Sequence, residues 1–525
     1  MRNKAALLAC LSLAAAPLSA QAPMSAIDWL NAGNSTNAPA VLRPLPDRGS
    51  GMASPRRVEP PVASSGASPE VEVMPLGAPS AEAVGLLPMS ATGLPRSLWS
   101  ASEARRLVPL IGEVDPAVPA LSALLFTLLL AEADAPRGAG GGAPLLTARL
   151  DRLLAEGAVD PALALLDRAG PATSPALFAR WFDLSLLAGT SEAPCQALQR
   201  QPELSDDLAT RIYCDARQGS WDHAVTVLGT ARALGQLDAR DTELLSRFLD
   251  PALADGARPV PVPPRPTPLQ FRLFEAVGEA LPTQPLPRAF AAADLSGMSG
   301  WRAQLLAAER LAQRGALSEN RLLGIYSDRK PAASGGVWDR VAAVQALEAA
   351  LDSGRADLAG PALLKAWPQM RSAGLLVPLA KLFGDRLSGL ALDGRAAALA
   401  RRAALLSDEY EVAARELTAP SGLMGTVAAI AQGEAPASPP VPARQQAVAR
   451  AWSDAAPPPA LTEMLREGRL GEAILHAIAL FSDGAEGNHA DLTDALATLR
   501  AVGLEDTARR AAIQLLILDD EGALR

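Results

Sequence analysis

Gly157-Ala-Val-Asp-Pro-Ala162 decides how this chain folds. The glycine closes an apolar-periodic run, tolerates the left-handed backbone that ends a helix, and is followed by an acid suited to the start of the next one. A closing alanine then lets the two helices approach closely. The elbow returns at Gly219-Ser-Trp-Asp-His-Ala224, Gly315-Ala-Leu-Ser-Glu-Asn320, Gly354-Arg-Ala-Asp-Leu-Ala359 and Gly468-Arg-Leu-Gly-Glu-Ala473. With the apolar residue displaced by one, it returns again at Gly503-Leu-Glu-Asp-Thr-Ala508. Each copy lies between two helix-like stretches, which predicts an all-α fold: an α-solenoid of stacked helical hairpins.

Composition agrees with that expectation. Of the 525 residues 49% are hydrophobic but only 4% aromatic, so alanine and leucine dominate and favour helices packed through small side chains. The formal net charge of -9 argues against a nucleic-acid partner, which needs clustered positive charge. Lysine occurs only at Lys4, Lys330, Lys365 and Lys381, leaving the remaining basic positions to arginine.

Outward towards the N-terminus, Arg2 and Lys4 precede an apolar run from Ala5 to Ala16 that is too short to span a bilayer. Small residues around Ala20 complete a signal peptide over 1–20, so a periplasmic location is expected. Leu7-Leu8-Ala9-Cys10 has the outline of a lipoprotein box, yet the apolar run continues past Cys10. No later stretch is long and apolar enough to anchor the chain. Residues 21–100, rich in Pro, Ser, Gly and Ala, read as a disordered tether. Within it Ala26-Ile27-Asp28-Trp29-Leu30 is an island whose Ile27, Trp29 and Leu30 could anchor in a partner's groove or fold back on the chain's own helices. A second island runs from Val71 to Trp99 and is expected to pack on the first helices.

From Ala101 the helical period takes over. Leu107, Leu110 and Ile111, then Leu121, Leu124, Leu125, Leu128 and Leu129, keep the spacing of one helix face. Proline-rich interruptions at 259–268, 435–442 and 455–459 divide the helices into blocks 101–258, 269–430 and 461–525. The glycine run Gly138 to Gly142 lacks the Lys-Ser/Thr of a phosphate loop, and Pro331-Ala-Ala-Ser-Gly-Gly336 reads as a turn that caps the following helix. His223, His476 and His489 are scattered, so neither a metal nor a cofactor is expected. Cys195 and Cys214 form an isolated pair on consecutive predicted helices, and in an oxidising compartment they are expected to be bridged.

The elbow form Gly-x-apolar-x-x-Ala resembles the internal turn of the tetratricopeptide and Sel1-like repeat families, and the last two elbow glycines, Gly468 and Gly503, stand close to the period of tetratricopeptide repeats. The stretches Arg247-Phe-Leu-Asp-Pro251 and Val337-Trp-Asp-Arg340 resemble those of a group of exported alphaproteobacterial proteins that carry no assigned chemistry. Repeat families of this kind imply protein binding on an extended helical surface. The expected function is therefore a periplasmic, non-enzymatic scaffold or adaptor for protein partners of the cell envelope, in a flagellar or other envelope assembly. The alternative is a peptidoglycan-acting envelope enzyme or its regulatory subunit, which would need a positioned general acid in a compact lobe. No Glu-Ser pair and no Gly-x-Ser-x-Gly elbow occurs in the sequence.

Overall fold

The computed structural model describes residues 80–296 and 298–524; the expected signal peptide and the island with Ile27, Trp29 and Leu30 lie outside the described residues. Among the described residues every regular element is a helix. Those of six residues or more are numbered α1 (Ala104–Glu113), α2 (Pro119–Leu130), α3 (Pro144–Glu156), α4 (Val159–Ala169), α5 (Pro175–Ala188), α6 (Glu192–Arg200), α7 (Leu208–Arg217), α8 (Trp221–Ala233), α9 (Ala239–Leu249) and α10 (Pro268–Ala276). There follow α11 (Trp301–Ala312), α12 (Glu319–Ser327), α13 (Val337–Asp352), α14 (Ala356–Ser372), α15 (Leu376–Ser388), α16 (Gly394–Leu406), α17 (Tyr410–Arg415) and α18 (Gly422–Ala431). The last are α19 (Ala443–Ala451), α20 (Pro459–Arg466), α21 (Leu470–Glu486), α22 (His489–Ala501) and α23 (Glu505–Asp520).

All six elbow glycines sit between packed helices with φ between 66° and 85°. The closing alanines Ala162, Ala224, Ala359, Ala473 and Ala508 are each 0% exposed, so helix contact at the elbow depends on their small size. The acids play a different part from the expected cap. Asp160, Asp222, Asp357 and Glu472 lie in the first turn of the second helix, where they meet the positive end of its dipole; only the third elbow uses a true cap, Ser318 accepting from the Arg321 N–H.

Helix α2 explains why Leu121 to Leu130 is apolar on nearly every side. It packs against α3, α21 and α23, and the Gly315 elbow lies beside it, where an added Cβ would stand 3.7 Å from the Phe126 ring. Its ends are served by distant side chains. Gln514 of α23 accepts from the Ala120 N–H at 2.8 Å, while Arg149 donates to the carbonyls of Leu129, Ala131 and Val84 at 2.6, 3.1 and 2.8 Å. The C-terminal helices thus pack on the N-terminal ones, and the stack meets itself.

Two findings revise the expected boundaries. Residues 80–100, placed at the end of the expected tether, belong to the folded part, and the described part of the second island packs on the first helices as expected. Leu86 and Leu87 donate backbone hydrogen bonds to the Leu130 carbonyl, Glu82 accepts from the Leu145 and Leu146 N–H groups at the start of α3, and Leu98 and Trp99 are 0% exposed. Gly85 allows this approach, because a Cβ there would stand 2.2 Å from the Glu132 nitrogen. The proline-rich interruptions, in turn, break helices without dividing the core. One buried apolar cluster runs from Val84 to Leu518, and a second, from Phe178 to Phe274, holds α5 to α10 together.

Candidate functional site

A cleft of about 630 Å³ opens where the first turn of α11, the loop 328–336 and the first turn of α13 converge on Pro282, Thr283 and Asp294. Its size lies within the range of ligand-binding cavities. Two tryptophans form its apolar wall. The Trp301 and Trp338 rings lie 5.3 Å apart and inclined at 53°, and Trp301 is fixed by donating from its indole N–H to the Ile325 carbonyl at 2.9 Å. At that distance the two rings pack on each other and form one continuous apolar wall.

Charge is added at the mouth. Arg302, Arg329 and Lys330 line the cleft and are exposed. Arg329 pairs with its neighbour Asp328 at 3.0 Å, whereas neither Arg302 nor Lys330 has an ion-pair or hydrogen-bond partner among the described residues. The cleft's own acid is occupied: Asp294 accepts from Ser299 at 2.8 Å and from the Thr283 hydroxyl. Two free cations and one partly neutralised one therefore face solvent beside an apolar wall.

Beneath that wall the scaffold is pinned. Glu309 of α11 accepts from the Tyr326 hydroxyl at 2.7 Å and from two nitrogens of Arg340, each at 2.6 Å, tying α11, α12 and α13 together. Burial, reinforced by Glu309, raises the Tyr326 phenol well above its ordinary range, so it serves as a neutral donor. The loop before α13 is held by Asp339, which accepts from the Gly335 N–H at 2.9 Å; Gly335 and Gly336 take φ of 92° and 57°. Pro331 to Gly336 thus leads into the next helix as expected, while its near end supplies part of the cleft.

The residues singled out in the sequence fall elsewhere. The Sγ atoms of Cys195 and Cys214 lie 1.99 Å apart, disulfide distance, with Cα atoms at 4.9 Å, inside the second core between α6 and α7. His223 pairs with Asp215 at 2.8 Å on the surface, and half-buried His476 has its pKa lowered by burial. Among the described residues no group of three or more His, Cys, Asp or Glu could hold a metal ion, and no helix is long and apolar enough to cross a membrane. Sequence reasoning did not find Trp301, Arg302, Lys330 and Trp338 as a group. The available signal was Trp338 beside a Gly-Gly loop in a chain poor in aromatics.

Compared with known proteins, the chain matches no family model, no curated protein and no solved structure.

Proposed function

We propose that this chain is an exported, non-enzymatic scaffold of the periplasm that holds protein partners of the cell envelope on its helical-hairpin surface. The observation that carries the reading is the cleft between α11 and α13: an apolar cleft rimmed by Arg302 and Lys330, which have no ion-pair or hydrogen-bond partner among the described residues. Elsewhere arginines in contact with an acid tie helices together, as Arg340 does through Glu309 and Arg402 through Asp520. Uncommitted charge beside tryptophan is the composition of a recognition surface, in which aromatic and arginine anchors supply most of the binding energy. The signal-like first twenty residues and the bridged cysteine pair support export. A flagellar or other envelope assembly is the proposed setting, on the analogy of exported helical-repeat scaffolds alone.

The test has two arms. Fractionation of cells should recover the chain, shortened by about twenty residues, in the periplasm. Crosslinked capture from that fraction should retain a defined partner set with the wild type and lose members with Arg302→Glu combined with Lys330→Glu. Recovery in the cytoplasm, or an unchanged partner set, would refute the proposal.

A further inference from the structure

We infer that the cleft between α11 and α13 takes an acidic peptide segment of a partner protein, with a large apolar side chain laid against the Trp301–Trp338 wall and its carboxylates facing Arg302, Arg329 and Lys330. The inference rests on the scaffold reading and names the chemistry of what the scaffold holds. Three observations lead to it. The first is charge contrast. The chain carries a net charge of -9, yet at this mouth three exposed cations gather, Arg329 paired with Asp328 and the other two without a partner among the described residues, while the acid of the lining, Asp294, is consumed by Thr283 and Ser299. A local positive rim on an acidic protein selects for an anionic partner and repels further copies of the chain's own acidic surface.

The second is shape. The Trp301 and Trp338 rings, inclined at 53° with centroids 5.3 Å apart, pack on each other and give the cleft of about 630 Å³ an apolar wall against which one large side chain can lie. Pro282, Ala303 and Leu306 continue the apolar lining, so the cleft accepts aliphatic or aromatic groups alike. The third is rigidity. Trp301 is held by the Ile325 carbonyl, and α11, α12 and α13 are locked by the Glu309, Tyr326 and Arg340 cluster, so the wall stands in place before a ligand arrives and little ordering cost falls on binding.

The cations are divided between two elements. Arg302 sits on the first turn of α11, and Arg329 and Lys330 sit on the loop across the mouth. One carboxylate beside the inserted side chain can therefore be approached from both sides, as a peptide of the type apolar-Asp-apolar would place it. Residues Ile27-Asp28-Trp29-Leu30 of this chain have that composition and give a ready probe sequence.

The experiment is calorimetric titration of the full mature chain with acetyl-Ala-Ile-Asp-Trp-Leu-amide, with the same peptide carrying Lys in place of Asp, and with N-acetyltryptophanamide. The Asp peptide is expected to bind about tenfold or more tightly than the Lys peptide or the amide, and to weaken as ionic strength rises from about 0.05 M to about 0.5 M. Arg302→Glu with Lys330→Glu should abolish that preference. Both side chains are exposed and have no partner among the described residues, so this variant is expected to keep the wild-type circular dichroism and melting temperature. Trp338→Ala should weaken all three ligands together. Equal binding of the Asp and Lys peptides, or no binding of either, would overturn the inference. So would a tenfold gain in peptide affinity in Trp29→Ala, since that would show the chain's own N-terminal segment to be the natural occupant. If the charge-reversal variant loses its captured partners while no peptide binds, the scaffold reading stands and this inference alone falls.

Discussion

Arg149 shows how much a single residue can organise here. Its guanidinium is 0% exposed and serves three carbonyls from three places: the end of α2, the turn after it, and the segment around Val84. Burial lowers its pKa to about 10, opposed by the nearby Glu82 carboxylate, so it stays charged at neutral pH. Arg149→Met is expected to cost about 3–5 kcal/mol, because it strands buried acceptors and removes the countercharge of Glu82; urea unfolding measures it. Asp183 on α5 makes the opposite case. Burial pushes its pKa up to about 6, against the help of Arg180 and with a further push from Asp207 and Asp151. A folded-state pKa above the ordinary value of 3.8 means that the native state favours the protonated acid. Its contribution to stability is complete below that ordinary value and is lost as the pH rises through about 6. Asp183→Asn should therefore stabilise the protein by roughly 1–2 kcal/mol at pH 7 and make no difference near pH 4. A melting-temperature series across that range would expose a wrong sign at once.

At the scale of elements, the hairpins were legible because their signals are local. A glycine that must turn left, an acid in the following first turn and, in five of the six copies, an alanine at the contact all lie within six residues, and each of the six glycines takes the left-handed turn its sequence predicts, although the acids serve the helix dipole rather than the cap. The segment 80–99 was legible only in part: its packing on the first helices was expected, whereas its contact with Gly471, far along the chain, left no local signal. Trp99 lies against Gly471, where a Cβ would come within 2.3 Å of the indole ring. Gly471→Ala is accordingly expected to destabilise by about 1–3 kcal/mol through overpacking. Gly229→Ala, in the exposed middle of α8 with open space around it, should instead stabilise by about 0.5–1 kcal/mol. Identical changes in chemistry with opposite signs in thermal melts would separate close packing from helix propensity. The cleft was missed for a related reason. Trp301 and Trp338 belong to different hairpins, and nothing within either one announces the other.

Across the whole molecule, the contact between α23 and α2 distinguishes this arrangement from an open stack, in which each hairpin touches only its neighbours. The Ala120 N–H and the Gln514 side chain meet across 394 positions of sequence, and Ser482 donates to the Asp115 carbonyl at 2.7 Å in the same region. An open stack would answer removal of its last helix by loosening the one before it. Here α2 also loses a flank and its N-terminal cap, while the second core of α5 to α10 is fastened by the Cys195–Cys214 pair and its own apolar contacts. Deletion of residues 505–525 is therefore expected to raise amide hydrogen exchange in α2 and α22 together, leaving α6 to α9 protected. Gln514→Leu, a milder change, should cost about 1–3 kcal/mol by leaving the Ala120 N–H without its acceptor, with faster exchange centred on the first turn of α2. Loss of protection confined to α22 in the deletion variant, with α2 unchanged, would mean that the ends of the stack do not depend on each other.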